Sequence, residues 1–342
     1  MKTADSGLLF KQPADGFYRY RPQAPAVRLA SPAPAAAGKV AVLLCTYHGQ
    51  HYLSEQLDSL AQQIYPNWEI WASDDNSQDD THAILLAHQL RLGADRLTIH
   101  DGPAEGFAAN FLSLICNADI AAEYYAFSDQ DDIWERDKLT RAVAALDTVP
   151  ANVPALYCSR TRLIDQDNNS IGYSPLFTRK PGFANALVQN IGGGNTMVLN
   201  NAARKLLMEA GADTDVVSHD WWAYMIIAGC GGRVFYDAYP SLRYRQHDAN
   251  VVGMNAGWRA RVERVGLLFA GRFRYWSASN IRALEKIHYR LTPESQRILA
   301  DFKQARQQWL LPRLAGLLRA GIYRQTVLGN LGLAAAALLN KI

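Results

Sequence analysis

Two clusters of aspartates follow short apolar runs in the sequence. Asp74 and Asp75 come directly after WEIWAS, and Asp129, Asp131 and Asp132 come directly after YYAFS. Like charges this close together repel, so a bound cation would offset them, and such oxygen ligands suit Mg²⁺ or Mn²⁺ when substrate phosphates complete the shell. The clusters also fit a plainer interpretation as turn residues and helix N-caps, which Asp and Ser often provide after strands.

A further acidic residue, Asp220, lies in the segment SHDWW at residues 218–222. Ser218 is typical of a helix N-cap, which would place Asp220 in the first helical turn. There the carboxylate could act as a general base, or it could only complement the helix dipole. Trp221 and Trp222 fit either sugar stacking, for which we expect one of them at most, or the protein core.

Two other segments carry residues that suit ligand binding. His247, in RYRQH, could donate to a diphosphate or complete a metal shell, with Arg243 and Arg245 neutralising leaving-group charge; a structural histidine is the alternative. The run GGGN at residues 192–195 permits close approach of the backbone to a ligand, and it also fits a sharp turn.

An alternation of apolar runs and helical patterns must position these groups. From Lys39 the chain reads KVAVLLCTY, HYLSEQLDSLAQQ, WEIWASDD, DDTHAILLAHQLRLG and RLTIHD, which is a βαβαβ beginning. Later segments add a strand at Ala155–Ile164, a helix after Ser218 and a strand pair near residues 233–244. We predict an α/β fold with a mostly parallel, Rossmann-like sheet flanked by helices, in which ligands bind outside the carboxyl ends of the strands.

The turn after the first strand excludes two nucleotide-binding motifs. It reads CTYHG at residues 45–49, with neither a G-x-G-x-x-G nor a Walker loop. Tyr47 could stack there on a nucleobase, with Thr46 forming a hydrogen bond to it, or the tyrosine could merely pack.

Composition places the chain among globular proteins. Its 342 residues are 49% hydrophobic and 20% charged, which excludes disorder for most of the chain. No apolar run approaches about 18 residues, and no signal-peptide pattern opens the chain, so we expect an intracellular protein. The four cysteines lie far apart and show no zinc spacing, which favours free thiols.

Charge is unevenly distributed along the chain. Residues 256–342 hold 15 Lys/Arg and 4 Asp/Glu, a net charge of +11, whereas residues 1–255 hold 20 and 28, a net charge of −8. We predict an extended Pro/Ala-rich arm at residues 1–38, a catalytic domain at 39–255 and a basic amphipathic helical region at 256–342. That region is typical of helices on an anionic membrane surface; a solvated arginine face or an oligomer interface is the alternative, and nucleic acid fits less well.

Six segments in order resemble family 2 nucleotide-sugar glycosyltransferases of the GT-A fold, and particularly their bacterial rhamnosyltransferase branch. The segments are VAVLLCTYHG, ASDDNSQDDT, FSDQDDIW, GGGNTMVLN, SHDWW and YRQHDANVVG, and the resemblance runs from about Lys39 to Gly253. It implies an inverting transferase that uses Mg²⁺ or Mn²⁺ and a dTDP- or UDP-sugar donor. The sugar implied most directly is L-rhamnose.

The resemblance also assigns roles to residues of this chain. Asp129-Gln130-Asp131 matches the family's D-x-D, with Asp131 on the metal and Asp129 beside it, nearer the ribose or donor sugar. Asp220 matches the catalytic base. The residues matched to nucleotide and donor binding are Thr46, Tyr47, Asp74, Asp75, Gly106, Asn110 and His247. Those matched to the acceptor side are Gly193, Gly194, Asn195, Trp221 and Trp222.

The expected acceptor is a lipid-linked glycan, lipopolysaccharide or another cell-surface polysaccharide. Together with the basic C-terminal region, this predicts an enzyme at the cytoplasmic face of the inner membrane, with homo-oligomers possible. Two other functions fit parts of the sequence. A nucleotidyltransferase that makes an activated sugar would share the sheet and the acidic site but would need a glycine-rich basic loop after the first strand. A non-catalytic glycan-binding protein at the membrane would not need the acidic cluster.

Overall fold

A computed structural model describes residues 37–247 and 272–342, and the fold within them is a mixed α/β sheet covered by helices. Nine strands form this sheet in the described part of the chain, in the order β3-β2-β1-β4-β8-β6-β9-β5, with β7 paired to β6. The strands are β1 Val40–Thr46, β2 Trp68–Asp74, β3 Leu97–Asp101, β4 Tyr124–Ser128, β5 Ile133–Trp134, β6 Ala155–Ile164, β7 Ser170–Tyr173, β8 Val198–Asn200 and β9 Arg233–Arg245.

The first half of the sheet is parallel, as the βαβαβ pattern predicts. β1 lies between β2 and β4 and pairs in parallel with both, and β3 pairs in parallel with β2. All seven residues of β1 are buried, because helices cover both faces of a parallel sheet and its strands therefore read as continuous apolar runs.

The second half of the sheet is mixed. β8 runs antiparallel to β4 and to β6, whereas β9 runs parallel to β6. The predicted strand at Ala155–Ile164 is present with those bounds. The predicted strand pair near residues 233–244 is a single strand, Arg233–Arg245, because its register shifts against β6 let it bend without a turn.

Helices connect the strands and enclose the core. They are α1 Leu53–Ala61, α2 Thr81–Leu92, α3 Phe107–Cys116, α4 Lys138–Leu146, α5 Phe183–Ala186, α6 Asn201–Ala210, α7 His219–Gly229, α8 Arg272–Lys286, α9 Pro293–Gln307, α10 Leu310–Arg319 and α11 Val327–Leu338. The central helix is α7, in which nine of eleven residues are buried. A helix that is apolar on nearly all faces must be covered on all sides, and α7 is.

The C-terminal helices share the core of the sheet domain. Phe273, Leu284 and Phe302 belong to the same buried cluster as Phe127 of β4 and Trp222 of α7. The expectation of a separate helical region beyond residue 256 therefore does not describe how α8 and α9 pack, although the predicted boundary itself falls in residues outside the described ranges. Among the described residues, no helix combines the length and apolarity that a membrane span requires.

Candidate active site

The acidic strand ends meet at one edge of the sheet, as predicted. Thr46 pairs in register with Asp74, and Leu44 pairs with Ser128, so β1, β2 and β4 end side by side. The residues that follow these three strands therefore share the region where α/β sheets bind ligands.

The first acidic cluster is saturated by hydrogen bonds. Asp74 is buried and accepts from the Thr46 hydroxyl at 2.7 Å and from the Ser77 hydroxyl and amide at 2.6 and 2.9 Å. Asp75 accepts from the backbone amides of Ala104 at 2.7 Å and Gly106 at 3.0 Å. These carboxylates hold the loops around the site in place. Their contacts are those of turn residues, the plainer of the two interpretations of this cluster.

The second cluster is not saturated in this way. Asp131 Oδ2 lies 2.8 Å from His247 Nε2 and has no other side-chain partner in the described chain. Asp129 receives no hydrogen bond on its carboxylate from any described residue. Burial, then the charges of Asp131 and Asp220, raise the pKa of Asp129 well above its usual range.

Asp132 serves the protein interior instead. It is fully buried and accepts from Asn195 Nδ2 at 2.5 Å and from the amide of Arg245 at 3.3 Å. Burial, followed by the charges of Asp131 and Asp129, raises its pKa. Lys138 Nζ is also buried behind this cluster, 3.2 Å from the centre of the Trp134 ring, and burial lowers its pKa.

Asp220 lies at the start of α7 and is held by the glycine turn. Its Oδ2 accepts from the Gly194 amide at 3.0 Å and from Asn190 Nδ2 at 2.8 Å, while Oδ1 accepts from the Trp221 amide at 2.7 Å. Ser218 occupies the N-cap position as predicted, but its side chain makes no capping hydrogen bond. The Asp220 carboxylate is half-buried and close enough to Asp129 for its charge to be felt there.

The glycine turn passes close to helix α7. A Cβ on Gly194 would lie 2.4 Å from His219 Nε2, so only glycine lets the turn pass α7 at this distance. His219 itself is buried and stacks on Phe111 with ring centres 3.9 Å apart, and neither of its ring nitrogens has a hydrogen-bond partner among the described residues.

Tyr47 lies at the mouth of the site with its side chain 57% exposed. Gln130, the middle residue of the D-x-D, holds it there through a reciprocal pair: the Tyr47 amide donates to Gln130 Oε1, and Gln130 Nε2 donates to the Tyr47 carbonyl, both at 2.8 Å. Sequence reasoning gave Gln130 no role, although its position between two aspartates was a usable signal. Asn190, which orients Asp220, carried no signal at all.

Several predicted ligand-binding residues are engaged elsewhere. Trp222 is fully buried in the core, and Trp221 is 6% exposed and donates to the Ala186 carbonyl at 2.6 Å, so neither offers a free face to an acceptor. Asn195 is buried and bonds Asp132. Asn110 is buried and exchanges hydrogen bonds with Ser73 at 2.6 and 3.1 Å. Short polar side chains beside a strand end serve the backbone as readily as a ligand, and the sequence does not separate the two.

The arginines of RYRQH are structural. Arg245 is 1% exposed; it donates to the carbonyls of Asp131 at 3.0 Å and Gln166 at 2.8 Å and pairs with Glu55. Arg243 pairs with Glu135 at 3.0 Å. These arginines fix the loop that carries Asp131, and the predicted neutralisation of a leaving group does not fit their contacts.

Asp131, together with His247 and Asp129, could contribute ligands to a divalent cation. The Asp131 carboxylate and the His247 imidazole are already within 2.8 Å, and Asp129 adds a carboxylate that lacks a hydrogen-bond donor. No group of three or more His, Cys, Asp or Glu side chains is arranged around one point in the described ranges. A cation bound here would therefore need water and substrate phosphates to complete its shell.

Comparison with known proteins gives the family. Residues 41–207 match glycosyl transferase family 2. The chain is also 30% identical over 241 residues to the dTDP-rhamnosyl transferase RfbG of Shigella flexneri, a match that covers 66% of this chain and 78% of that protein. The chain belongs to glycosyl transferase family 2. Its predicted resemblance to the rhamnosyltransferase branch is confirmed, and the nucleotidyltransferase and non-catalytic alternatives are not supported.

Two further comparisons agree with this family and fold. A UDP-glucose-dependent β-1,3-glucosyltransferase, WfgD of Escherichia coli, is 27% identical over 165 residues, covering 47% of this chain and 60% of that protein. The solved structure of GalNAc-T7 with UDP, GalNAc and Mn²⁺ superposes with a TM-score of 0.51 at 12% identity, covering 84% of this chain and 56% of that one. The predicted GT-A α/β fold of this family 2 glycosyltransferase is confirmed.

Proposed function

We propose that this family 2 glycosyltransferase is an inverting, metal-dependent enzyme that transfers L-rhamnose from dTDP-L-rhamnose to a lipid-linked or cell-surface polysaccharide acceptor. One observation supports the chemistry above the others. The half-buried Asp220 is held by the glycine turn close to Asp129, which places a single oriented carboxylate next to the cluster that would receive the diphosphate.

The donor sugar is inferred from the relative. The Shigella flexneri protein is described as a dTDP-rhamnosyl transferase, and the match to it covers 66% of this chain. The glucosyltransferase relative acts on a sugar attached to diphosphoundecaprenol, which supports a lipid-linked acceptor for the present chain as well.

Asp220 would act as the base. Its two oxygens are anchored by the Gly194 amide and Asn190 on one side and by the Trp221 amide on the other, so the carboxylate keeps one orientation before an acceptor arrives. A lone pair on such a fixed carboxylate takes the acceptor proton as the hydroxyl oxygen attacks the sugar carbon, while the nucleoside diphosphate leaves from the opposite face.

Asp131, His247 and Asp129 would hold Mg²⁺ or Mn²⁺. When bound, this cation supplies positive charge that stabilises the diphosphate as it leaves. The solved relative GalNAc-T7 contains Mn²⁺ with UDP, which is consistent with this choice of ion. Arg245 keeps Asp131 in place by donating to its carbonyl.

Tyr47 would stack on the nucleobase. Its side chain is exposed at the end of β1. Gln130 bonds the Tyr47 backbone, so the residue that would bind the base is fixed directly to the D-x-D that would bind the diphosphate. Asp74 and Asp75 would line this pocket through the loops they organise, since their own oxygens accept hydrogen bonds from the protein.

The test is a panel of dTDP-, UDP- and GDP-sugars with a lipid-linked acceptor, in which we measure nucleotide release and the anomeric configuration of the product. We expect dTDP-L-rhamnose to be preferred, inversion at the anomeric carbon, and dependence on Mg²⁺ or Mn²⁺. Asp220→Asn should lower turnover by about two to four decades and leave Mn²⁺-dependent dTDP binding intact.

The matched control is Asp119→Asn. Asp119 is exposed and precedes β4, so it lies at the opposite end of that strand from the Asp129–Asp132 cluster. This variant should retain full turnover. Retention of configuration would exclude the single-base mechanism, and preference for another nucleotide sugar would overturn the assigned donor. If Asp220→Asn loses dTDP binding together with turnover, Asp220 belongs to the pocket and is not the base.

A further inference from the structure

Helix α11 is apolar on its outer face as well as on its inner one. Leu333, Ala336 and Ala337 are buried against the protein. The opposite side is exposed, with Val327 at 80%, Leu328 at 70% and Leu331 at 63%. A helix that is apolar all round is normally covered all round, so this outer face lacks a partner within the described chain.

Helix α10 and the residue before it also carry exposed apolar side chains. Trp309 is 65% exposed, Leu311 62% and Leu318 82%. Arg313 is buried and donates to the Ala337 carbonyl at 2.8 Å, which fixes α10 against the end of α11. We call the exposed side chains of the two helices the α10–α11 surface: Trp309, Leu311, Leu318, Val327, Leu328 and Leu331.

The concentration of these side chains is unusual for the molecule. Nine of the 19 exposed large hydrophobic residues in the described ranges lie between residues 309 and 339. Isolated exposed leucines need no explanation, but a grouping of this kind marks a surface that another apolar phase covers.

Charge indicates the nature of that phase. Residues 302–342 contain six Lys/Arg and no Asp/Glu. Arg319 lies at the end of α10 beside Leu318; it pairs with Asp301 at 3.2 Å and is still 61% exposed. Leucine and tryptophan side chains flanked by basic residues are typical of helices that lie in the interface of an anionic bilayer.

We propose that the α10–α11 surface docks on an anionic lipid surface, with its apolar side chains in the interface and its basic residues on the lipid headgroups. A second copy of this chain is the weaker occupant. A two-fold contact would bring together two segments that each carry six Lys/Arg and no Asp/Glu of their own, and the repulsion between them costs free energy.

The surface is also connected to the acceptor side of the site. In the turn between α10 and α11, the Tyr323 carbonyl accepts from Asn185 Nδ2 at 3.0 Å and the Gln325 amide donates to Gln189 Oε1 at 2.8 Å. The next residue, Asn190, orients Asp220. Docking would therefore hold the Asp220 side of the protein near the bilayer, a consequence that rests on the proposed lipid-linked acceptor.

The experiment is co-sedimentation of the full chain with vesicles of phosphatidylcholine alone and of phosphatidylcholine with phosphatidylglycerol. The test variant replaces four surface residues: Leu311→Gln, Leu318→Gln, Leu328→Gln and Leu331→Gln. The matched control makes the same change at four exposed apolar positions elsewhere: Leu86→Gln, Leu90→Gln, Ile171→Gln and Leu176→Gln. All eight side chains are exposed, so both variants should keep the melting temperature of the wild type.

We expect wild type and control to sediment with anionic vesicles, less so in high salt, and the test variant to lose binding by about a hundredfold or more. Lys303→Gln with Arg319→Gln should reduce only the salt-sensitive part. Wild type that never sediments, or a test variant that sediments like wild type, would overturn the proposal. So would a wild-type dimer by light scattering that the test variant converts to a monomer without any vesicle binding.

Two further measurements separate this proposal from the proposed function. Mn²⁺-dependent dTDP binding and transfer to a water-soluble acceptor fragment should be equal in wild type and test variant. Vesicle binding without any transfer would refute the proposed function and leave docking intact, whereas transfer without vesicle binding would do the reverse.

Discussion

The two acidic strand ends look alike in sequence and differ in what surrounds them. After β2, Asp74 and Asp75 accept five hydrogen bonds from neighbouring hydroxyls and amides, so their charge is already compensated. After β4, Asp129 accepts none on its carboxylate within the described chain, and Asp131 meets only His247. Asp74 and Asp75 are therefore satisfied by the protein and hold their loops, whereas neighbouring carboxylates with few or no donors are suited to a cation.

The largest expected effect comes from the unsatisfied cluster. Asp131→Asn removes one charge at nearly constant shape, so we expect metal-supported turnover to fall about a hundred- to a thousandfold. The melting temperature should stay the same or rise, because repulsion between Asp131 and Asp129 disappears. Turnover measured across a Mn²⁺ titration, together with a thermal melt, checks both parts; wild-type activity at every Mn²⁺ concentration would contradict the assignment.

The satisfied cluster should respond in the opposite way. Asp75→Asn leaves an amide group facing one of the two loop amides now bound by the carboxylate, so it should lower the free energy of unfolding by about 1 to 3 kcal/mol. Its effect on turnover per folded molecule should be smaller than that of Asp131→Asn. Urea unfolding of this variant and of the exposed control Asp95→Asn provides the comparison, and an unchanged stability would show that the loop does not depend on Asp75.

The smallest effect concerns His219, which is unsatisfied without belonging to a cation site. Burial lowers its pKa to about 4, from a normal value of 6.5. Because the unfolded chain binds this proton first, acidification favours unfolding. This residue should therefore reduce the free energy of unfolding by about 1 kcal/mol between about pH 6.5 and about pH 5.5.

His219→Leu should remove that part of the pH dependence, whereas the exposed control His82→Gln should not. Unfolding curves at several pH values measure the difference between the variants. Identical pH slopes in wild type and His219→Leu would mean that the imidazole gains a proton acceptor in solution. In that case His219 would have a partner in solution, and the carboxylates after β4 would be the site residues with few or no donors in the described chain.

Local pattern was sufficient for much of the fold. The apolar run VAVLLCT and the helical pattern after Tyr52 are found as β1 and α1, and Ala155–Ile164 is a strand with its predicted bounds. These elements are specified by their own periodicity and by burial on both faces. The single strand Arg233–Arg245 was read as a pair, because the shifts that bend it arise from its partner β6 and not from its own sequence.

The contacts of the predicted site residues followed from the sequence in some cases and not in others. His247 lies against Asp131, and the glycine turn donates to Asp220. Trp221, Trp222, Asn110 and Asn195 do not face a ligand, because each is consumed by packing or by a hydrogen bond to a neighbour distant in sequence. Residues 256–271, the first part of the predicted basic region, lie outside the described residues, as does most of the predicted N-terminal arm.

The amino-acid sequence by itself determined the family, the parallel first half of the sheet and its acidic edge, because periodicity and motif spacing are local properties. Only the tertiary structure decided which aspartates are already satisfied. That depends on donors from Ala104, Gly106, Gly194 and Asn190, which come from other loops. It also decided which face of α11 is covered, since a sequence that is apolar on every side does not say which side the core will take.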